Sequence, residues 1–470
     1  MKEHNIMNEN AEKLNTFSAG IKETKAPQQY YENPVPGQFP IIANRIFTDT
    51  SKPSQTIVDS LAECGFNLAI ATVPTEVLAK TLNMFRETGV KVIPFNSTYF
   101  SGLASSTKLE ASAKGDEESA SIMSGATQDD SSNTDWKEFV SNVLSYDVVA
   151  GLGMLQNPTT SKIEERADRI NAIYANSGSP LLYTEISPLL SFVNKLQNTS
   201  DGTTTVDKFS TYGEYLEFVQ QKIAPPIWSY SLNFVSYKNG SSALSVDYGM
   251  FFTKLEQFNL AAQATGQVMW TSCRCIKTSS VLSDMPAPTL ASMRFEVFSA
   301  LAYGSQGIVF NTYSNPPVSM GNQYSHSPIN ANGQKSDTWY LVQQVISEIK
   351  RYTEVFLGGI PLMIRHTGTT TYPGTNALIG EIGPCLSISS GNAGVLVSHF
   401  ANQEQDYLIV VNHDIEKQQQ VTLKFASNRF VEELTVLNLD SASNTVVNSD
   451  GSRSVSRTME PGGYLIFKWC

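Results

Sequence analysis

SYDVVAGLGMLQNP, residues 145–158, is the stretch on which the fold turns. Val148, Val149, Ala150, Leu152, Met154 and Leu155 form a run broken only by two glycines, the pattern of a parallel strand buried on both faces. Proline has no amide hydrogen for the ladder and restricts the residue before it, so the strand ends at Gln156, Asn157 and Pro158. In a parallel α/β barrel such a C-terminal tip is where chemistry is done.

Outward from this strand the same unit repeats. Upstream, strands are predicted at 39–47, 67–73 and 90–96, with helices over 54–64 and 75–88 between them. Downstream, strands at 181–186, 227–235, 268–275 and 307–313 alternate with helices over 161–175, 212–222, 251–265, 289–303 and 339–356. Eight strands alternating with helices predict an α/β fold, a (β/α)8 TIM barrel over residues 38–358. Residues 1–37 read as a loosely held polar arm ending in NPVPG. The stretch 97–135 is a polar insertion after strand three, either a lid or a flap, and is expected to be mobile for want of large apolar anchors. Beyond Gly358 the period switches to two, which predicts a β-sandwich domain over 359–470.

The net charge of −11 argues against nucleic acid or an anionic membrane as the main partner. Five cysteines (Cys64, Cys273, Cys275, Cys385 and Cys470) are too few and too scattered for a disulfide framework. Cys273 and Cys275 share one strand face but lack the second pair or histidine cluster of a zinc site, so neither metal nor cofactor is expected. No window reaches the ~18 apolar residues of a membrane span, and the first residues lack a signal peptide's apolar core. The five histidines read as surface or packing residues.

The strand tips supply the candidate site. Strand one offers Asn44 and Arg45, strand three Asn96, strand four Gln156 and Asn157, and strand five Tyr183 and Glu185. Strand six offers Trp228 and Tyr230, strand seven Trp270 and Arg274, and strand eight Asn311 and Tyr313. Aromatic faces and planar amides suit the apolar faces and hydroxyls of a sugar, although barrel walls also fill with Trp and Tyr. A cleft at the C-terminal mouth is expected, lined by Asn44, Asn157, Glu185, Trp228, Trp270 and Tyr313.

Three blocks carry a resemblance: ASMRFEVFSALAYGSQGIVFNTY (291–313), SPINANGQKSDTWYLVQQVISEIK (327–350) and IRHTG (364–368). With LIVVNHD (408–414) they resemble glycoside-hydrolase-like proteins of Bacteroidetes related to the β-galactosidase-type barrels of glycoside hydrolase clan A. The resemblance implies carbohydrate as partner and a periplasmic or extracellular location, with a cytoplasmic one as the alternative. It also implies a retaining mechanism with glutamates at the tips of strands four and seven, carboxyls about 5 Å apart. Here Asn157 falls where the acid/base glutamate belongs, and an amide cannot protonate a leaving oxygen. Strand seven holds no carboxylate from Trp270 to Arg274, and the next acid is Asp284.

Three functions stay open. The first is a carbohydrate-binding protein of weak or absent hydrolysis. The second is a glycosidase with relocated acids, Glu185 and Asp284 being the catalytic pair to test. The third is a non-enzymatic scaffold. Glu185 has a bland reading too, as a hydrogen-bonding or arginine-pairing residue of the mouth.

Overall fold

The short apolar segments pair in parallel and close on themselves. The structure is a computed structural model, and it describes residues 26–103, 135–190, 209–238, 242–279, 284–317, 323–370, 372–427, 431–434 and 444–469. The barrel strands are β1 Ile41–Asn44, β2 Leu68–Thr72, β3 Lys91–Phe95, β4 Leu152–Gln156, β5 Leu182–Ile186, β6 Ile227–Tyr230, β7 Val268–Arg274 and β8 Ile308–Asn311. They stand in chain order around one closed barrel, and β8 returns to β1 with Ile308 opposite Ile41. The helices that follow them in turn are α1 Gln55–Cys64, α2 Thr75–Phe85, α3 Trp136–Leu144, α4 Thr160–Asn176, α5 Tyr212–Ile223, α6 Tyr248–Thr265, α7 Leu290–Ala302 and α8 Asp337–Arg351. This is a TIM barrel, as the alternation predicts.

Side-chain phase sorts the strands into an inner and an outer layer. Ile42, Ile70, Ile93, Phe95, Tyr183, Ile227, Trp270 and Val309 form the inner cluster, where the Tyr183 ring lies 5.7 Å from that of Trp270 and 6.1 Å from that of Phe95. These rings explain two glycines. A Cβ on Gly153 would sit 2.2 Å from the Phe95 ring, and one on Gly307 would sit 2.7 Å from Trp270. In β4 the pairing with β5 slips between Gly153 and Leu155. Met154 and Leu155 then both join the outer layer, and the phase of the tip shifts by one residue.

Three expectations change. Residues 26–37 are anchored: buried Gln29 donates to the Ile223 carbonyl at 2.8 Å, and Tyr31 packs edge-on against Trp270 at 6.3 Å. Helix α3, which the sequence reading passed over, is capped by Asp135 and buries Val140 and Val143. The sixth strand stops at Tyr230, because Phe234 turns outward onto Phe251 of α6 at 4.4 Å. Most of the polar insertion, residues 104–134, lies outside the described residues, as do residues 1–25 of the arm.

After α8 come two antiparallel sheets. One has five strands (Ile360–His366, Val395–Asn402, Gln405–Asn412, Val431–Glu433 and Tyr464–Trp469), and the other has four (Cys385–Ser389, Gln419–Phe425, Asn444–Val447 and Arg453–Met459). The alternation in VLVSHF is used on both faces. Val395 and Val397 point at the four-stranded sheet with Val421 and Leu423, while Leu396 and Phe400 join the barrel's outer core. Ser398 donates to the Ala302 carbonyl at 2.8 Å, and Tyr464 stacks on Phe298 of α7.

Candidate functional site

At the C-terminal mouth a buried carboxylate is surrounded by amides. Glu185 stands near the end of β5, where all five residues are buried, and is itself 2 % exposed. Asn157 Nδ2 donates to its Oε1 at 3.1 Å, and Asn44 Nδ2, at the end of β1, reaches Oε2 at 3.5 Å. The backbone makes the same link, since the Asn157 amide donates to the Glu185 carbonyl at 2.8 Å. Asn157 takes a positive φ of 40°, a left-handed conformation that asparagine adopts more readily than most residues. Arg45, also left-handed at φ 54°, brings a cation to this carboxylate.

The electrostatics follow from burial. Loss of water raises the Glu185 carboxyl above its ordinary value, and the Arg45 charge and the Asn157 hydrogen bond pull it partly back. Arg45 is pushed down by burial and held up by Glu185 and by Tyr324. The Oδ1 atoms of Asn44 and Asn157 are buried without a hydrogen-bond partner among the described residues. They are acceptors to which the described residues bring no donor.

Other tip residues serve the frame. Asn96 Nδ2 donates to the Val73 carbonyl at 2.7 Å, and its Oδ1 accepts from the Thr98 amide at 2.9 Å, so it caps the 3-10 turn Ser97–Phe100. Asn311 donates to Ser231 Oγ at 3.1 Å across the rim, and the peptide bond after it is cis. Arg274 is buried, with Nη1 on the carbonyls of Ile276 and Pro286 at 2.7 and 2.6 Å. Gln156 is partly exposed opposite Glu185.

The expected aromatic lining is built differently. Trp228 and Tyr230 belong to the outer layer of β6: Trp228 Nε1 donates to Thr265 of α6 at 2.9 Å, and Tyr230 stacks on Phe258 at 4.1 Å. Tyr313 meets Ser60 of α1 at 2.8 Å and Trp339 of α8 at 3.1 Å, between barrel and helices. Tyr183 and Trp270 fill the barrel interior. Of the six expected lining residues, Asn44, Asn157 and Glu185 converge, while Trp228, Trp270 and Tyr313 are packing residues. The physical reason is phase: neighbouring strand positions face opposite sides, and a tryptophan looks alike in a cleft and in a wall. Asp284 is exposed, its carbonyl accepting from the Tyr237 amide at 2.9 Å, and the charge acting on the Glu185 carboxyl is that of Arg45.

Two residues escaped the sequence reading. Tyr324 comes to Arg45 on the strand Gln323–Ser325, which pairs antiparallel with Lys277–Ser279, a long-range pairing with no local signal. Glu296 of α7 is 2 % exposed and accepts from the Arg274 amide at 2.7 Å, fixing the tip of β7 from behind. Burial pushes its carboxyl up to about 7. Among the described residues no three His, Cys, Asp or Glu side chains are grouped to hold a metal ion, and no helix is long and apolar enough to cross a membrane.

No protein-family model and no curated protein matches the chain. Solved structures do. A β-galactosidase from the psychrophilic Marinomonas ef1 is similar over 67 % of this chain and 60 % of its own, with 10 % identity and a TM-score of 0.45. A catalytic mutant of Gan42B, a GH42 β-galactosidase from G. stearothermophilus, is similar over 94 % of this chain and 99 % of its own, with 9 % identity and a TM-score of 0.43. Pseudomonas stutzeri endoglucanase Cel5A in complex with cellobiose is similar over 73 % and 97 %, with 14 % identity and a TM-score of 0.43. The chain thus spans less than two thirds of the Marinomonas enzyme.

Proposed function

We propose that this chain is a glycoside-hydrolase-like protein that binds carbohydrate at the C-terminal mouth of its barrel and hydrolyses it slowly or not at all. The observation that carries the reading is the contact of Asn157 with Glu185 at 3.1 Å. By the resemblance, Asn157 occupies the acid/base position, and its amide has no proton to give a leaving oxygen. The amide serves instead as a donor that holds a buried carboxylate in place. The charge that acts on the Glu185 carboxyl is that of Arg45, a cation and not the second carboxylate that a double displacement needs. Asn44, Asn157, Gln156 and Asn311 supply amide groups at the mouth, a chemistry suited to hydroxyls.

A relocated-acid reading has one observation in its favour. Burial raises the Glu185 carboxyl, as a general acid requires. Exposed Asp284 is its proposed partner.

One experiment separates the readings. The purified chain is offered activated aryl glycosides, which partly relieve the need for an acid, and a panel of sugars in a thermal-shift assay. We expect stabilisation by at least one sugar, with turnover far below that of ordinary glycosidases. Glycosidase-like turnover that Glu185→Gln abolishes would replace this reading with the relocated-acid one. Failure of every sugar to bind would leave a scaffold.

The resemblance to Bacteroidetes proteins carries with it export to the periplasm or beyond. Domains over 38–358 and 359–470, following the arm, belong to the same proposal.

A further inference from the structure

Far from the mouth, four polar side chains meet where the barrel touches the five-stranded sheet. Glu256 lies on α6, Tyr303 just follows α7, His366 ends the strand Ile360–His366, and His413 follows Gln405–Asn412. Tyr303 Oη lies 2.9 Å from His366 Nε2, and His366 Nδ1 lies 3.2 Å from His413 Nε2. His413 Nδ1 lies 3.1 Å from the Ala393 carbonyl oxygen, and the Tyr303 hydroxyl also meets the Glu256 side chain. All four side chains are buried, and the Phe252 ring packs on both imidazoles at 4.6 and 4.9 Å.

The carbonyl end sets the direction of this chain. A carbonyl only accepts, so His413 carries its proton on Nδ1. A neutral His413 then accepts at Nε2, which puts the His366 proton on Nδ1 and leaves His366 Nε2 to accept from Tyr303. The single tyrosine proton is thereby used, on the bond to His366. The alternative reverses the bonds and needs an imidazolium at His413, which must donate to the Ala393 carbonyl and to His366 at once. It places a positive charge inside an apolar interface, at a large desolvation cost.

We infer that Tyr303, His366 and His413 form a one-way hydrogen-bond chain, ending on the Ala393 carbonyl, that fastens the C-terminal sheets to the barrel with both imidazoles neutral, and that acid loosens this contact. The surrounding groups agree. Arg365 adds a like charge beside His366, the Tyr372 ring lies 5.7 and 5.6 Å from the two imidazoles, and the Tyr248 hydroxyl accepts from the Ile415 amide. The Asp414 carboxylate is turned to the amides of Glu416 and Lys417 at 2.8 and 2.9 Å. Burial lowers His366 well below its ordinary value, with His413 and Arg365 adding to the effect, and lowers His413 from 6.5 to about 4. An unfolded chain protonates these rings near 6.5, so the contact is at full strength above that pH and is lost as pH falls through about 4. Within that window each imidazole weakens the contact about tenfold per pH unit.

Nitrogen-15 NMR of the intact, histidine-labelled chain tests the direction. At pH 7 we expect His366 and His413 both neutral and both protonated on Nδ1, the minority tautomer of free histidine. An imidazolium signal from His413, or a proton on Nε2 of either ring, overturns the inference. Tyr303→Phe removes the donor and keeps the ring, and we expect both imidazoles to stay protonated on Nδ1, because the Ala393 carbonyl still sets the direction; a switch of His366 to the Nε2–H form overturns that claim. Amide hydrogen exchange of the strand Ile360–His366 tests the acid response on the wild-type chain. Protection should fall at least tenfold between pH 7 and pH 4, after correction for intrinsic rates, and should fall less in His413→Leu. Unchanged wild-type protection across that range refutes the acid response, whether or not the variants fold.

Discussion

Replacing Asn157 with aspartate keeps the shape of the side chain and exchanges the donor that faces Glu185 for a second carboxylate. In the wild type, Asn157 Nδ2 lies 3.1 Å from Glu185 Oε1. A hydrogen bond to a charged group contributes roughly 1.5–3 kcal/mol, and losing it exposes Glu185 to a like charge at about the same distance. Two carboxyls that close share one proton, so one of the pair is raised well above its unfolded value of about 4. A raised acid favours the folded state below its unfolded pKa and loses that advantage as pH rises through the folded one. Asn157→Asp should therefore be nearly as stable as wild type at pH 4.5 and lose about 2–4 kcal/mol at pH 8. Urea unfolding followed by tryptophan fluorescence at both pH values measures this. A penalty independent of pH, or none at pH 8, would refute the claim that the amide of Asn157 holds an ionisable Glu185.

Two further outcomes test the barrel itself. Gly153→Ala forces a methyl to within 2.2 Å of Phe95, and a loss of about 1–3 kcal/mol is expected in chemical unfolding, largely recovered by adding Phe95→Leu. Trp228→Ala should lower stability by about 3–5 kcal/mol and leave the affinity for any sugar that binds wild type unchanged in calorimetry, since this ring supports α6 from behind the mouth; a selective loss of sugar binding would return Trp228 to the cleft.

The sequence by itself determined the barrel. Eight apolar runs ending in polar tips, spaced by amphipathic helices, admit few other packings, and proline after Asn157 marks the end of β4 without any tertiary information. It also singled out Asn44, Asn157 and Glu185, because strand ends are local features. Only the tertiary structure decided which way the neighbouring aromatics face. One slip in the β4–β5 register moves a whole tip by a position, and Trp228 reads the same whether its ring meets a sugar or Phe258. Only the fold, too, brought Tyr324 to Arg45 and His366 to His413, partners 279 and 47 residues apart whose contact depends on loop closure and sheet packing, for which no local pattern exists.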